Sequence, residues 1–362
     1  MILFNNFKLQ YKKIKEDIDS AIKSVLDSGW FILGKEVKSF EIEFAEYIGV
    51  SYCVGVASGT EAITLSLISM DIGEGDEVIT TNLTAFPTIT GIIQSGAMPV
   101  VVDINIENGL IDCNKIEKKI TSKTKAIVPV HLYGQSCNMS KIVEIANNYN
   151  LKIIEDCAQS AGTKYLTKKT GSIGNCNAFS FYPTKNLGAY GDAGAVTTND
   201  KRIYERLLKL RNCGQSTRYF HDDKEGINSR LDEIQASILR VKLKHLDEWN
   251  NKRRQIAQFY RENLINVDCL EENSFSKNSY YLFVIKSNNR NELIQYLKIN
   301  NIQSLIHYPI PINKQNAYPY PKKEELENSN RFSNSILSIP IYPELKKNEI
   351  EKIVSTINEF KN

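Results

Sequence analysis

The chain has 362 residues, enough for one large domain with a smaller one beside it. Hydrophobic residues make up 42% and charged residues 24%, a mix that argues against a disordered, collagenous or coiled-coil chain. With 45 Lys and Arg against 42 Asp and Glu, the net charge of +3 gives no reason to expect a nucleic acid as partner, though it leaves room for a local patch that holds phosphate.

The first residues, MILFNNFKLQYKKIKED, become charged too soon for a secretory apolar region. No apolar run approaches the ~20 residues needed to cross a bilayer, so a cytoplasmic location without membrane contact is expected. Short β-branched runs then alternate with amphipathic stretches. The runs are DEVITT (76–81), MPVVVDI (98–104), KAIVPVHLYG (125–134), LKIIEDCA (151–158), NAFSFY (177–182) and GAVTT (194–198). Continuous apolar runs of this kind predict strands covered on both faces. Between them, Thr60–Met70 carries Ala62, Leu65 and Ile68 at helical spacing. The stretch 138–150 does the same with Met139, Ile142, Val143, Ile145 and Ala146, and Asn138 is placed to cap it. Alternating strand and helix predicts an α/β domain with a mainly parallel central sheet flanked by helices. Ligands of such sheets sit beyond the carboxyl ends of the strands.

From about Arg230, RLDEIQASILRVKLKHLDEWNNKRRQIAQFYRENL predicts one or two long charged helices. A strand comes next in YYLFVIK (280–286), then a helix around Arg290–Asn300, the Pro-rich HYPIPINKQNAYPYP, and a last helix over 348–360 with Asn348 as its cap. The expected division is a large α/β domain over 1–240 and a small C-terminal α+β domain over 241–362. The seven cysteines are widely spaced and contain no CxxC, and the four histidines show no ligand spacing. Buried free thiols are expected, and no metal.

Three segments carry chemistry. Ser58-Gly59-Thr60-Glu61 opens a helix just after the run CVGVA, and free N–H groups at a helix N-terminus attract phosphate. Gly59 would let the backbone approach closely and Thr60 would add a hydroxyl. In IIEDCAQSAG, Asp156 ends a buried strand, where a carboxylate is costly without a cation or donors. A protonated pyridine nitrogen would be such a partner, which points to pyridoxal phosphate (PLP). Gln159 could donate to the phenolic oxygen of the ring. In AFSFYPTKNLGAYGDAGA, Lys185 lies in a Gly-rich loop after a strand, where its amine could bond to an aldehyde, and Ser180 could reach the cofactor phosphate. Each segment alone also reads as an ordinary cap or a solvated loop; their order along the chain is what points to one cofactor. A nicotinamide enzyme would want G-x-G-x-x-G after the first strand, and none is present.

VASGTEAI, IIEDCAQSAG and FSFYPTKNLGAYGDAGAV resemble the motifs of the DegT/StrS-type sugar-nucleotide aminotransferases, PLP enzymes of fold type I. The likeness runs from GWFILGKEVKSFEIEFAEYIG (29–49) to HYPIPINKQ (307–315). It implies that Lys185 is the Schiff-base lysine and proton shuttle, that Asp156 pairs with the pyridinium, and that Gln159 meets the phenolic oxygen. It places the phosphate on Gly59, Thr60 and Ser180. GINSRLDEIQA matches the segment whose Asn reaches the neighbouring subunit's phosphate, which implies Asn228 in that role and a homodimer with shared active sites. The position where relatives stack an aromatic ring on the cofactor falls near Ala85, with Phe86 beside it, and Cys213 stands where relatives often carry His. Tyr182, Arg230, His307 and Tyr308 become candidate substrate contacts, with Lys209 and Arg211 as further candidates for a diphosphate. Relatives of the same fold that dehydrate sugars carry His in place of the lysine, against which Lys185 speaks. The implied reaction moves an amino group from L-glutamate to a nucleotide-linked keto sugar. The sequence is most similar to members acting on carbon 3 of a dTDP-3-keto-6-deoxyhexose; carbon 4, a keto-cyclitol and a non-catalytic PLP-binding sensor stand as alternatives.

Overall fold

The computed structural model describes residues 1–319 and 326–360. Seven strands form the central sheet: β1 (Tyr52–Val56), β2 (Glu77–Thr81), β3 (Met98–Val102), β4 (Thr124–Val128), β5 (Lys152–Asp156), β6 (Cys176–Ser180) and β7 (Gly194–Thr198), in the spatial order β1-β7-β6-β5-β4-β2-β3. β7 is antiparallel to β1 and β6, and every other pairing is parallel. The mainly parallel sheet expected from the apolar runs is therefore present. Strand β7 is buried along its whole length and β5 everywhere beyond Lys152, which is why these strands read as continuous rather than alternating apolar runs.

Helices cover both faces. In chain order they include α1 (Lys15–Ser28), α2 (Lys35–Ile48), α3 (Gly59–Ile68), α4 (Phe86–Gln94), α5 (Met139–Asn148), α6 (Lys201–Leu210), α7 (Glu233–Leu243) and α8 (Leu246–Asn263). Asn138 caps α5 by accepting from the Lys141 N–H, as its sequence position predicts. The one-sided stripe expected on α3 is incomplete: Ala62 through Leu67 are all buried, because α4 lies across the outer face of α3. Gly91 makes that crossing close, since a Cβ there would stand 2.8 Å from the Thr60 carbonyl oxygen. Helices α2 and α7 are joined by one carboxylate. Buried Glu233 accepts from the N–H groups of Gly34, Glu36 and Val37 and so caps α2 from the side.

Beyond α8, the strands β8 (Asp268–Cys269), β9 (Phe283–Lys286) and β10 (Ile336–Ile339) form an antiparallel sheet in that order. It packs with α8, with α9 (Arg290–Ile299) and with α11 (Lys347–Glu359) around Ile256, Tyr260, Phe283, Leu293 and Ile353, while α10 (Glu327–Ser335) leads into β10. The first residues of the chain join this core, with Ile2 paired to Ile302. An expected boundary after residue 240 falls inside α7, and we propose that the division lies instead at the Lys244–His245 turn between α7 and α8. The final helix starts at Lys347, and its N-cap is Lys346, whose N–H is received by the Glu349 carboxylate. Asn348 lies in the first turn and is not the cap. All seven cysteines are free, and no helix among the described residues is long and apolar enough to cross a membrane.

Candidate active site

The three chemistry-bearing segments converge at the carboxyl edge of the central sheet. Ser58 caps α3 by accepting from the Glu61 N–H at 3.2 Å. Gly59 abuts β6 so closely that a Cβ would lie 2.6 Å from the Cβ of Ser180. On the other side, a Cβ on Gly194 would stand 2.4 Å from the Ser58 carbonyl. Two glycines thus bring a helix N-terminus and the Ser180 hydroxyl together, which only residues without a side chain allow. The aligned N–H groups of α3 and the helix dipole make this a place for an anionic phosphate. Ser229 braces it from outside, donating its hydroxyl to Glu61 and accepting from the Ala57 N–H at 3.1 Å.

Asp156 stands at the end of β5 and is 3% exposed. Its carboxylate accepts from the Thr88 hydroxyl at 2.8 Å and the Ala158 N–H at 3.1 Å, with Thr84 in turn on Thr88 at 2.9 Å. Burial raises its pKa above the ordinary carboxylate value, against the opposing pull of those donors and of the Lys185 charge. Helix capping does not explain it, since no helix follows β5 directly. Gln159 is oriented at both ends: its Oε1 accepts from the Tyr133 N–H at 2.7 Å, and its Nε2 donates to the Tyr308 hydroxyl at 3.0 Å. Behind them His131, Glu155 and Cys157 bring ligand-type atoms within 4.8 Å of one another. Their lone pairs are committed. Glu155 accepts from His131 Nε2 and from the N–H groups of Gly171, Ile173 and Gly174, and His131 Nδ1 accepts from the Cys137 N–H at 3.1 Å. These partners assign the imidazole proton to Nε2. This is a hydrogen-bonded knot under Asp156 rather than an open ligand set.

Lys185 sits in the loop between β6 and β7, its amide donating to the Tyr182 carbonyl at 2.8 Å. The loop is pinned along its length. Thr184 meets the Tyr281 hydroxyl at 3.0 Å, Asn186 donates to Asn250 at 2.7 Å, Lys242 donates to the Gly188 carbonyl at 2.7 Å, and the Tyr190 N–H donates to Gln235 at 2.9 Å. The Lys185 amine lies 4.5 Å from the centre of the Tyr281 ring. His307 joins the site from the strand-like segment beside β10, its Nδ1 2.9 Å from the Ser338 hydroxyl. Burial, helped by the Lys185 charge, pushes the His307 pKa down to about 4, so the imidazole is neutral at neutral pH. The neighbouring Tyr308 hydroxyl is pushed above its ordinary pKa by burial.

Other expected residues have partners of their own or lie at the surface. Arg211 is not available to a diphosphate: it is 7% exposed, paired with Glu41 and bonded to the Gly55 carbonyl at 3.0 Å. A buried acid that also accepts from the Gly55 N–H draws the guanidinium inward. Lys209 faces Asp222 at 3.7 Å, and Arg230 donates to the Asn212 side chain at 3.0 Å. Asn228 is exposed beside the buried Ser229, and Tyr182 is 52% exposed. Ala85 precedes α4 without a capping bond, and Phe86 packs on the cluster of Ile89, Ile312 and Tyr318. Cys213 offers its carbonyl to His221 Nδ1 at 2.8 Å. Thr88, Tyr133, Ser229, Lys242 and Tyr281 were missed from sequence. Of these only Thr88 left a trace, in its four-residue spacing from Thr84.

Known proteins resemble the chain along nearly its whole length. Residues 12–358 match the DegT/DnrJ/EryC1/StrS aminotransferase family. The chain is 46% identical to the dTDP-3-amino-3,6-dideoxy-alpha-D-galactopyranose transaminase of Aneurinibacillus thermoaerophilus, over 99% of each chain. It is 39% identical to the erythromycin biosynthesis sensory transduction protein EryC1 of Saccharopolyspora erythraea, over 98% of each. Among solved structures, Streptomyces venezuelae DesV in complex with a ketimine intermediate superposes with a TM-score of 0.96 at 38% identity, covering 99% of this chain and 98% of that one.

Proposed function

The chain belongs to the DegT/DnrJ/EryC1/StrS aminotransferase family, and on that premise we propose that it moves an amino group from L-glutamate to carbon 3 of a dTDP-linked 3-keto-6-deoxyhexose. It is a PLP-dependent aminotransferase of fold type I. The carbon-3 reading is supported by the 46% identical relative, which is named for a 3-amino-3,6-dideoxy sugar nucleotide. The observation that carries the chemistry is the meeting, at one sheet edge, of an anion-ready helix terminus, a buried acid and a lysine.

The residues fit the cofactor. The N-terminus of α3 with Gly59, Thr60 and Ser180 would hold the phosphate. Asp156 has only neutral hydrogen-bond donors and is held above its ordinary pKa, so a protonated pyridine nitrogen would relieve it. Gln159 would offer its Nε2 to the phenolic oxygen, in place of or beside Tyr308. Bound there, PLP supplies an aldehyde for the lysine amine and a ring that takes up the electron pair freed when the donor loses its α-proton.

Lys185 then does the proton work. Released by the incoming amine, its Nζ would take the α-proton of L-glutamate and hold it for return, and one water would supply the keto oxygen of the departing 2-oxoglutarate. The same steps run in reverse when the keto sugar enters. His307, neutral in its buried setting, can accept or donate a hydrogen bond to the sugar without competing for that proton. Tyr182 is exposed at the mouth of the lysine loop and is free to meet the nucleotide part, with Arg230 and Tyr308 as further contacts.

The exposed Asn228 side chain suits contact with a second copy of the chain, and we place it on the partner's phosphate in a homodimer. The free thiols and a nucleotide-sugar substrate fit the cytoplasm.

The test uses purified protein loaded with PLP. Its visible absorbance should bleach on addition of L-glutamate, and colour should return with a dTDP-3-keto-6-deoxyhexose. NMR of the product should place nitrogen on carbon 3; nitrogen on carbon 4, or turnover only with UDP sugars or a keto-cyclitol, refutes the substrate assignment. Colour without bleaching would favour a sensor, a reading that the name of the Saccharopolyspora relative keeps in view.

A further inference from the structure

We propose that the face of the Tyr281 ring is the docking place of the Lys185 ammonium whenever that amine is released, which makes Tyr281 a positioning residue for the proton-carrying lysine. The inference rests on the transfer reading above and adds a residue to it.

The geometry is direct. Lys185 Nζ stands 4.5 Å from the ring centroid, inside the range where a cation is drawn to the negative face of an aromatic ring. The ring is not free to wander. Its hydroxyl meets Thr184, the residue before Lys185, at 3.0 Å, and the ring packs on the core that holds Leu282 and Val284. The lysine and its dock are thus joined through adjacent residues, so a shift of the loop carries both.

The charges around the amine say why a ring is suited to this task. Among the described residues, Asp156 and His307 both have pKa values that respond to the Lys185 charge. Asp156 is committed to the pyridine nitrogen in the transfer reading, so it cannot serve the lysine at the same time. His307 is held neutral and offers no counter-charge. A carboxylate in the place of Tyr281 would compete for the very proton the lysine must return. An aromatic face attracts the ammonium yet has no basic atom to take that proton.

The test separates the ring's quadrupole from its bulk. Cofactor-free protein is treated at neutral pH with a small acylating reagent, and the rate of Lys185 modification is read by peptide mass spectrometry. Such reagents attack only the uncharged amine, so losing the dock should speed labelling. Tyr281→Phe should stay within about twofold of the native protein, because the ring face remains. Phenylalanines with one, two and three ring fluorines at 281 keep the shape but drain the face, and should raise the rate stepwise towards that of Tyr281→Leu, on the order of tenfold in all. In the loaded enzyme, Tyr281→Leu should also enlarge the deuterium isotope effect on kcat with α-deuterated glutamate, while Tyr281→Phe should not. A rate that stays flat across the fluorine series overturns the proposal. So does a full increase already in Tyr281→Phe, which would assign the effect to the Thr184 hydrogen bond. Because the labelling needs neither cofactor nor substrate, a flat series removes the dock and leaves the transfer reading to its own bleaching test.

Discussion

The hydroxyl of Thr88, in the first turn of α4, donates to Oδ2 of Asp156 at 2.8 Å. The one polar side chain among the buried residues of α4 thereby orients the acid of the site from across the sheet edge. Thr88→Val keeps the shape and removes the donor. It leaves a buried carboxylate short of one partner, a change worth about 1–3 kcal/mol. PLP binding, followed by absorbance titration, should weaken several-fold with the fold intact by circular dichroism. Asp156→Asn should retain the cofactor yet lose nearly all transamination, because a neutral amide cannot keep the ring nitrogen protonated.

Lys185→Ala should abolish turnover, read as 2-oxoglutarate release, without lowering the unfolding temperature, since the loop is held by its neighbours Thr184, Asn186 and Gly188. Lys185→Arg should be equally inactive, as a guanidinium neither bonds readily to an aldehyde nor gives up its proton. Substantial transamination in either variant would remove Lys185 from its role.

Lys242 is 1% exposed, and burial lowers its pKa from 10.5 to about 7. The unfolded chain therefore binds more protons than the native state between these two values. By linkage this group adds stability as pH rises from about 7 towards 10.5, and below 7 the native state carries the full cost of a buried charge. Urea unfolding across pH 7–10 should show Lys242→Met losing that upward slope. The lost bond to Gly188 should appear as a pH-independent offset. Parallel slopes in the two proteins would contradict the burial argument.

His307 behaves in the same sense at lower pH. Its pKa falls from 6.5 to about 4, so the unfolded chain again binds the extra proton, and stability drops as pH falls through that window. His307→Asn should flatten this acid branch in denaturant melts. It should also leave the shape of the kcat profile above pH 6.5 unchanged, since the imidazole is already neutral there.

Asn228→Ala should leave the isolated fold intact, because the native side chain is exposed. It should nevertheless loosen cofactor retention through the partner subunit, measured as PLP released on dialysis. Unchanged occupancy would argue against the shared site.

Much of this was legible from residues alone. Buried runs with no polar alternation announced strands covered on both faces, and the order of an anion-binding turn, a strand-end acid and a loop lysine announced the cofactor. Those signals are local: they depend on spacing within one element and on the few residues just past its end. Arg211 shows the limit, since a cation near an expected phosphate site reads as a ligand until Glu41, from a distant helix, is seen to claim it. The supports of the site were equally hidden. Thr88 looks like one polar residue on a buried helix, Lys242 like one more charge in a charged helix, and Tyr281 like the start of a strand.

Chain order and hydrophobic period therefore settled most strands of the central sheet, several of the helices and the chemical types gathered at the sheet edge. Which side chains hold those groups in place was decided by contacts between segments far apart along the chain, where burial turns an ordinary threonine, lysine or tyrosine into a partner whose bond or ring face points at the site.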